Sequence, residues 1–110
     1  MFDQAKLQQR VVDSTEVKDQ LVRSFKTVSD LLSRDSKINL RFSGSTCVTV
    51  LIVGTKVFCA NVGDSRACLI RSVQNHDFAV IPLNRDHKAD EPDEEQRILK
   101  SGGRVQPYRD

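Results

Sequence analysis

From Val17 onward the apolar residues fall at Val17, Leu21, Phe25, Val28 and Leu32. Steps of three and four lay them along one stripe of a 3.6-residue helix. Ser14 or Thr15 can cap its start, with Glu16 well placed against the helix dipole. A shorter helical stretch carrying Phe2, Leu7 and Val11 or Val12 precedes it, and the polar run Arg34-Asp35-Ser36-Lys37 ends the pattern. The rhythm then changes. Thr46 to Val53 is rich in β-branched residues, Gly54-Thr55 interrupts it, and a second apolar run covers Lys56 to Val62. Two such runs around a two-residue turn containing Gly predict a β-hairpin. Gly63-Asp64-Ser65-Arg66 reads as another tight turn, into a strand over Ala67 to Arg71. A looser polar turn, Ser72 to Asp77, leads to a fourth strand from Phe78 to Leu83. The four strands form an antiparallel meander in this reading.

If Val53 pairs with Lys56, one face of the hairpin carries Val48, Val50, Ile52, Val57 and Cys59. The other carries Cys47, Thr49, Leu51, Phe58, Ala60 and Val62. A sheet wetted on one side alternates polar and apolar residues, and here both faces are apolar. The helix can cover one face; the other asks for a further layer or for a face buried in an oligomer. On this reading Leu51→Asp or Phe58→Asp unfolds the chain. Beyond the strands, Asp90-Glu91-Pro92 offers a cap and a first-turn proline, acids follow at Asp93, Glu94 and Glu95, and Lys100-Ser101-Gly102-Gly103 closes a last helix. The organisation is one partial domain over residues 1–110: helical over 1–35, antiparallel strands over 45–83, helix over 90–102.

With 110 residues the chain has room for one domain. Five Phe, one Tyr and no Trp make the core aliphatic. Lys and Arg total 17 against 15 Asp and Glu, a small and interspersed excess that excludes a nucleic-acid footprint. No apolar run is long enough to span a membrane, and the first residues do not read as a signal peptide. The expected setting is intracellular, cytoplasmic or nuclear, with neither nucleic acid nor membrane as partner. Cys47, Cys59 and Cys68 lie in apolar runs without metal-type spacing, so they read as buried, reduced thiols.

The candidate chemistry is sparse. Asp64 sits in a turn, where Gly and Asp are ordinary turn formers, yet it is also a carboxylate held at a sheet edge, as a hard cation requires. Gly63-Asp64-Ser65-Arg66-Ala67 nearly matches a hydrolase nucleophile elbow, but that elbow leads into a helix and here a strand follows. Ser43-Gly44-Ser45-Thr46 lacks the lysine of a phosphate-binding loop. The acidic run from Arg85 to Gln96 has no consistent ligand spacing.

Taken in order, these segments resemble the metal-dependent type 2C protein phosphatase family. Ser43-Gly44-Ser45-Thr46 resembles its Ser-Gly-Ser-Thr motif, and Ala60-Asn61-Val62-Gly63-Asp64-Ser65-Arg66-Ala67 its Ala-Asn-x-Gly-Asp-Ser-Arg motif. Asp86-His87-Lys88, then Glu94 or Glu95, Arg97-Ile98 and Gly102-Gly103-x-Val105 resemble its Asp-His-Lys-Pro, Glu-x-x-Arg-Ile and Gly-Gly-x-Val block. Ala89 stands where the family usually has Pro. The resemblance implies an α+β fold, part of an αββα sandwich and incomplete relative to the family domain. It implies hydrolysis of phosphoserine and phosphothreonine by a hydroxide activated between two Mg²⁺ or Mn²⁺ ions. The family's main metal-binding motifs, Asp-Gly-His-Gly-Gly, Asp-Gly-x-x-Asp and Asp-Asn, do not occur in this sequence. Asp64 alone carries over, resembling the ligand of a more weakly bound additional ion, so the chain is expected to hold no ion tightly and to be inactive by itself. A phosphoprotein is the implied substrate. The alternative is a non-catalytic module that binds a partner through its uncovered sheet face, and a homodimer or domain-swapped oligomer is expected.

Overall fold

The computed structural model describes residues 12–108, so the short helical stretch expected around Phe2 and Leu7 lies outside the described residues. Two helices and four strands follow in the order α1 (Ser14–Arg34), β1 (Cys47–Val53), β2 (Lys56–Val62), β3 (Cys68–Ser72), β4 (Phe78–Pro82) and α2 (Pro92–Lys100). The chain divides into two compact units, Met1–Ser45 with Thr49–Ala60, and Thr46–Val48 with Asn61–Asp110. Among the described residues no helix is long and apolar enough to cross a membrane.

In the first unit, α1 is capped one residue earlier than expected. Asp13, not Ser14 or Thr15, is the N-cap, and its carboxylate accepts from the Thr15 N–H at 2.9 Å. A side-chain oxygen at this position answers an orphan donor of the first turn, and an acidic residue suits the positive end of the helix dipole. Ser14, displaced into the helix, accepts instead from Lys56 Nζ at 3.0 Å, and the same ammonium donates to the Val12 carbonyl at 3.1 Å. Val17 and Phe58 are the buried residues here, at 3% and 7% exposure. Further along the expected stripe, Leu21 and Phe25 are half-buried, whereas Val28 and Leu32 are exposed.

The strands pair as two hairpins, β1 with β2 and β3 with β4, which corrects the single four-stranded meander. The reason lies in the connection over 63–67. Its backbone groups bond to Asn61, Asn84 and His87 and to the Leu83 amide, so they do not form a tight β2–β3 turn. The β1–β2 turn is as expected: Gly54, its first central residue, has φ +59, the signature of a type II′ turn that suits the right-handed strand twist. On this hairpin Leu51, Phe58 and Ala60 are the more covered side, while Val50, Ile52 and Val57 stand exposed.

In the second unit the β3–β4 ladder runs antiparallel from Cys68↔Pro82 to Ser72↔Phe78. β4 ends at Pro82, one residue short of expectation: Leu83 N–H still bonds the Ala67 carbonyl in register, but the Ala67 N–H goes to the Asn84 side chain and the reciprocal bond of the pair is not made. Two consecutive left-handed residues, Asn75 (φ 64) and His76 (φ 65), make the β3–β4 turn. Asn and His both visit that region more often than most residues, but a residue with a Cβ still carries a cost there of up to about 1–2 kcal/mol. His76→Gly relieves the strain against a smaller entropic loss in the unfolded chain. The expected net gain is about 0.5–1 kcal/mol, read as a rise of a few degrees in thermal midpoint; an unchanged or lower midpoint refutes it.

The cysteines are free, but not buried as expected: Cys47 and Cys68 are exposed and Cys59 is half-buried. Cys47 and Cys68 are the opening residues of β1 and β3. At the far end, α2 closes in a Schellman motif, with Gly103 N–H on the Ile98 carbonyl at 2.9 Å and Gly102 N–H on Leu99 at 3.0 Å. Gly102, at φ +81, takes the left-handed position foreseen from the sequence.

Candidate functional site

The motif residues of the second unit gather around the connection that follows β2. Gly63 opens it with φ +99, and a Cβ built there would lie 2.5 Å from Thr46 Cγ2. Two independent constraints therefore demand glycine: a backbone conformation that L side chains avoid, and the side chain of Thr46 already occupying the space. Thr46 Oγ1 and Ser65 Oγ share a hydrogen bond at 2.7 Å. Thr46 and Gly63, seventeen residues apart in the chain by their numbers, are thus parts of one packed corner.

A second layer of bonds comes from the segment after β4. His87 N–H donates to the Gly63 carbonyl at 2.9 Å. Asn61 Nδ2 bridges the Gly63 carbonyl at 3.0 Å and the Arg85 carbonyl at 3.3 Å, while its Oδ1 is buried without a donor. Asn84 grips both sides of Arg66, donating from Nδ2 to the Ser65 carbonyl at 2.9 Å and accepting the Ala67 N–H on Oδ1 at 2.8 Å. Arg66 Nε reaches Asp86 Oδ1 at 3.0 Å, and this carboxylate holds the guanidinium above its ordinary pKa, by the hydrogen bond first and by charge second.

Asp64 is the residue these contacts leave outward. It is exposed in the middle of the clamped connection, so its carboxylate is offered to solvent from a held backbone.

The remaining motif residues serve α2. Arg97 donates to both oxygens of Glu94, with Nε 3.1 Å from Oε1 and 3.0 Å from Oε2. That selects Glu94 over Glu95 as the acid of Glu-x-x-Arg, an i,i+3 pair on the helix surface. The pair holds Glu94 below the usual carboxylate range, with His87 adding a smaller pull in the same direction. Arg85 likewise pairs with Asp93 and lowers it. Both carboxylates have depressed native pKa values, so what these pairs contribute is present above the unfolded carboxylate range and fades as pH falls through the native values. Gly103 lies against Ile98, where a Cβ would come within 2.8 Å of Cγ2.

Thr46, Gly63, Ser65, Arg66 and His87 are therefore brought together around Asp64, while Arg97, Gly102 and Gly103 shape the helix. Ser43, Gly44 and Ser45 belong to the first unit, exposed in the irregular stretch before β1. A Cβ on Gly44 meets nothing within 4 Å, so packing does not require glycine there. Asn84 was not singled out by the sequence reading. Its only signal was an Asn placed directly after a strand, a residue type able to bond backbone as a turn does.

An α+β chain that presents one carboxylate from a turn locked by distant motif residues is the class defined here. A family model for protein phosphatase 2C matches residues 2–109, and the chain belongs to that family. "Probable protein phosphatase 2C 8" of Arabidopsis thaliana is 38% identical over 109 residues, covering 90% of this chain and 31% of the relative. "Probable protein phosphatase 2C 55" of Oryza sativa subsp. japonica is 39% identical over 80 residues, covering 73% of this chain and 20% of its own length. "Probable protein phosphatase 2C 75" of Arabidopsis thaliana is 49% identical over 63 residues, 57% of this chain and 14% of the relative. The chain thus spans under a third of each of these relatives. No solved structure matches it.

Proposed function

We propose that this chain is a central segment of a metal-dependent protein serine/threonine phosphatase, and that by itself it does not hydrolyse phosphoprotein. A phosphoprotein substrate, a Mg²⁺ or Mn²⁺ cofactor and an intracellular setting belong to the same proposal. One observation carries it: the Gly-Asp-Ser-Arg connection is built and locked, yet it offers the single carboxylate of Asp64. A hard cation takes about six oxygen ligands, and among the described residues no three His, Cys, Asp or Glu side chains are grouped to hold one. The described residues do not fit such an ion, and no step of the reaction is assigned to them through it.

The test is phosphate release from a phosphothreonine peptide in millimolar Mn²⁺, with and without EDTA, alongside Asp64→Asn. No release above buffer is expected. EDTA-sensitive release that disappears in Asp64→Asn would overturn the proposal.

A second reading, a non-catalytic module that associates through its sheet, is favoured by the uncovered side of the first hairpin. Val50 is 47%, Ile52 70% and Val57 46% exposed. A second copy of the chain is the simplest cover for these residues and for the unpaired strand edges. Sedimentation at tens of micromolar should show a dimer; a monodisperse monomer removes this reading.

A further inference from the structure

We propose that Asn84 is the positioning residue of the Asp64-bearing connection, setting the direction in which that carboxylate is offered. The β3–β4 ladder runs through Cys68↔Pro82. Its next backbone bond, Leu83 N–H to the Ala67 carbonyl at 2.9 Å, is still made. One residue further, Arg66 and Asn84 would face each other as the next pair. There the main-chain ladder stops and the Asn84 carboxamide takes over: Oδ1 accepts from Ala67 N–H at 2.8 Å, and Nδ2 donates to the Ser65 carbonyl at 2.9 Å.

A primary amide carries a donor and an acceptor side by side, as a strand backbone does, so one side chain satisfies the two peptide groups that flank Arg66. The main chain of 84–87 is thereby released from the ladder. It then supplies the His87 N–H to the Gly63 carbonyl, and the Arg85 carbonyl to Asn61. Asp64 lies between those two anchorages, Gly63 on one side and Ser65 on the other. Asn84 acts through the backbone of Ser65 and Ala67. The functional meaning of this role rests on the reading of Asp64 as a site carboxylate, but its structural content does not.

The chemistry is specific to the amide. Aspartate keeps the acceptor for Ala67 N–H and sets a second oxygen against the Ser65 carbonyl, so one bond becomes a repulsion. Serine keeps a group able both to donate and to accept, but with shorter reach. Alanine removes both bonds and leaves two backbone groups to water.

The experiment is a set of ¹⁵N–¹H correlation spectra of the full 110-residue chain and of Asn84→Ala, Asn84→Asp and Asn84→Ser at neutral pH, with thermal midpoints in parallel. The expected result is displacement of the Asp64, Ser65, Arg66 and Ala67 amide resonances, large in Asn84→Ala and Asn84→Asp and smaller in Asn84→Ser. Amides of α1 and of the β1–β2 turn should stay in place. Turn resonances that superimpose on the parent chain in Asn84→Ala overturn the proposal, as do displacements spread evenly over the chain or an Asn84→Asp spectrum identical to the parent. Should Asn84→Asp fail to fold, the order of Ala against Ser decides the matter. Because phosphate release is not part of the readout, failure here leaves the phosphatase reading standing, and the reverse also holds.

Discussion

Gly63→Ala should lower the thermal midpoint of the chain by more than about 10 °C. The added methyl would sit 2.5 Å from Thr46 Cγ2, 3.0 Å from Thr46 Cβ and 3.3 Å from its Cα. The last of these is backbone, which a rotamer change cannot move. Forcing a methyl into an occupied corner costs about 1–3 kcal/mol. Holding a non-glycine residue at φ +99 adds about 1–3 kcal/mol more. The sum is a large share of the roughly 5–15 kcal/mol that folded domains possess. Thr46→Ser removes the methyl in conflict and keeps the hydroxyl that meets Ser65. The double variant should therefore recover the steric part and leave the conformational part, a non-additivity that a double-mutant cycle reads directly. A Gly63→Ala chain melting within a degree or two of the parent would mean that the corner is not packed as described.

Phe58→Asp is the second large effect. Phe58 is 7% exposed and is, with Val17, one of the two buried apolar residues among those described. Truncating a buried Phe costs about 3–5 kcal/mol, and an unpaired carboxylate in its place adds a desolvation penalty. The expected outcome is loss of the cooperative denaturation transition. Leu51→Asp, expected from the sequence to be equally damaging, should be milder, because Leu51 is only half-buried. Val22→Lys is the control: on α1 and at 68% exposure, it should change stability by no more than about 0.5 kcal/mol. A cooperative, parent-like transition in Phe58→Asp would show that the core is misplaced.

The elements were legible because each has a local cause. The 3.6-residue apolar stripe places α1, Gly54-Thr55 between β-branched runs places the first hairpin, and Pro92 with Gly102-Gly103 bounds α2. Errors arose where two local signals were equally good. Asp13 stood beside two other residues able to cap, and the fold places it at the cap, with its side chain accepting the Thr15 N–H. Gly63-Asp64-Ser65-Arg66 has the composition of a tight turn, and composition alone does not reveal that its peptide groups bond to distant residues, as the Ser65 carbonyl does to Asn84 and the Gly63 carbonyl to His87.

By itself, then, the sequence determined the α+β class, the number and order of the described strands, the position of the acid in the turn, and the family to which the motifs point, since these follow from periodicity, turn chemistry and ordered motifs. Only the tertiary structure decided that the strands pair as two hairpins, that Thr46 is what makes Gly63 obligatory, and that Asn84 holds the connection around Asp64. The physical reason is common to all three: each depends on which partner a backbone group or side chain finds across the fold, and several residues of the right type compete for that place along the chain.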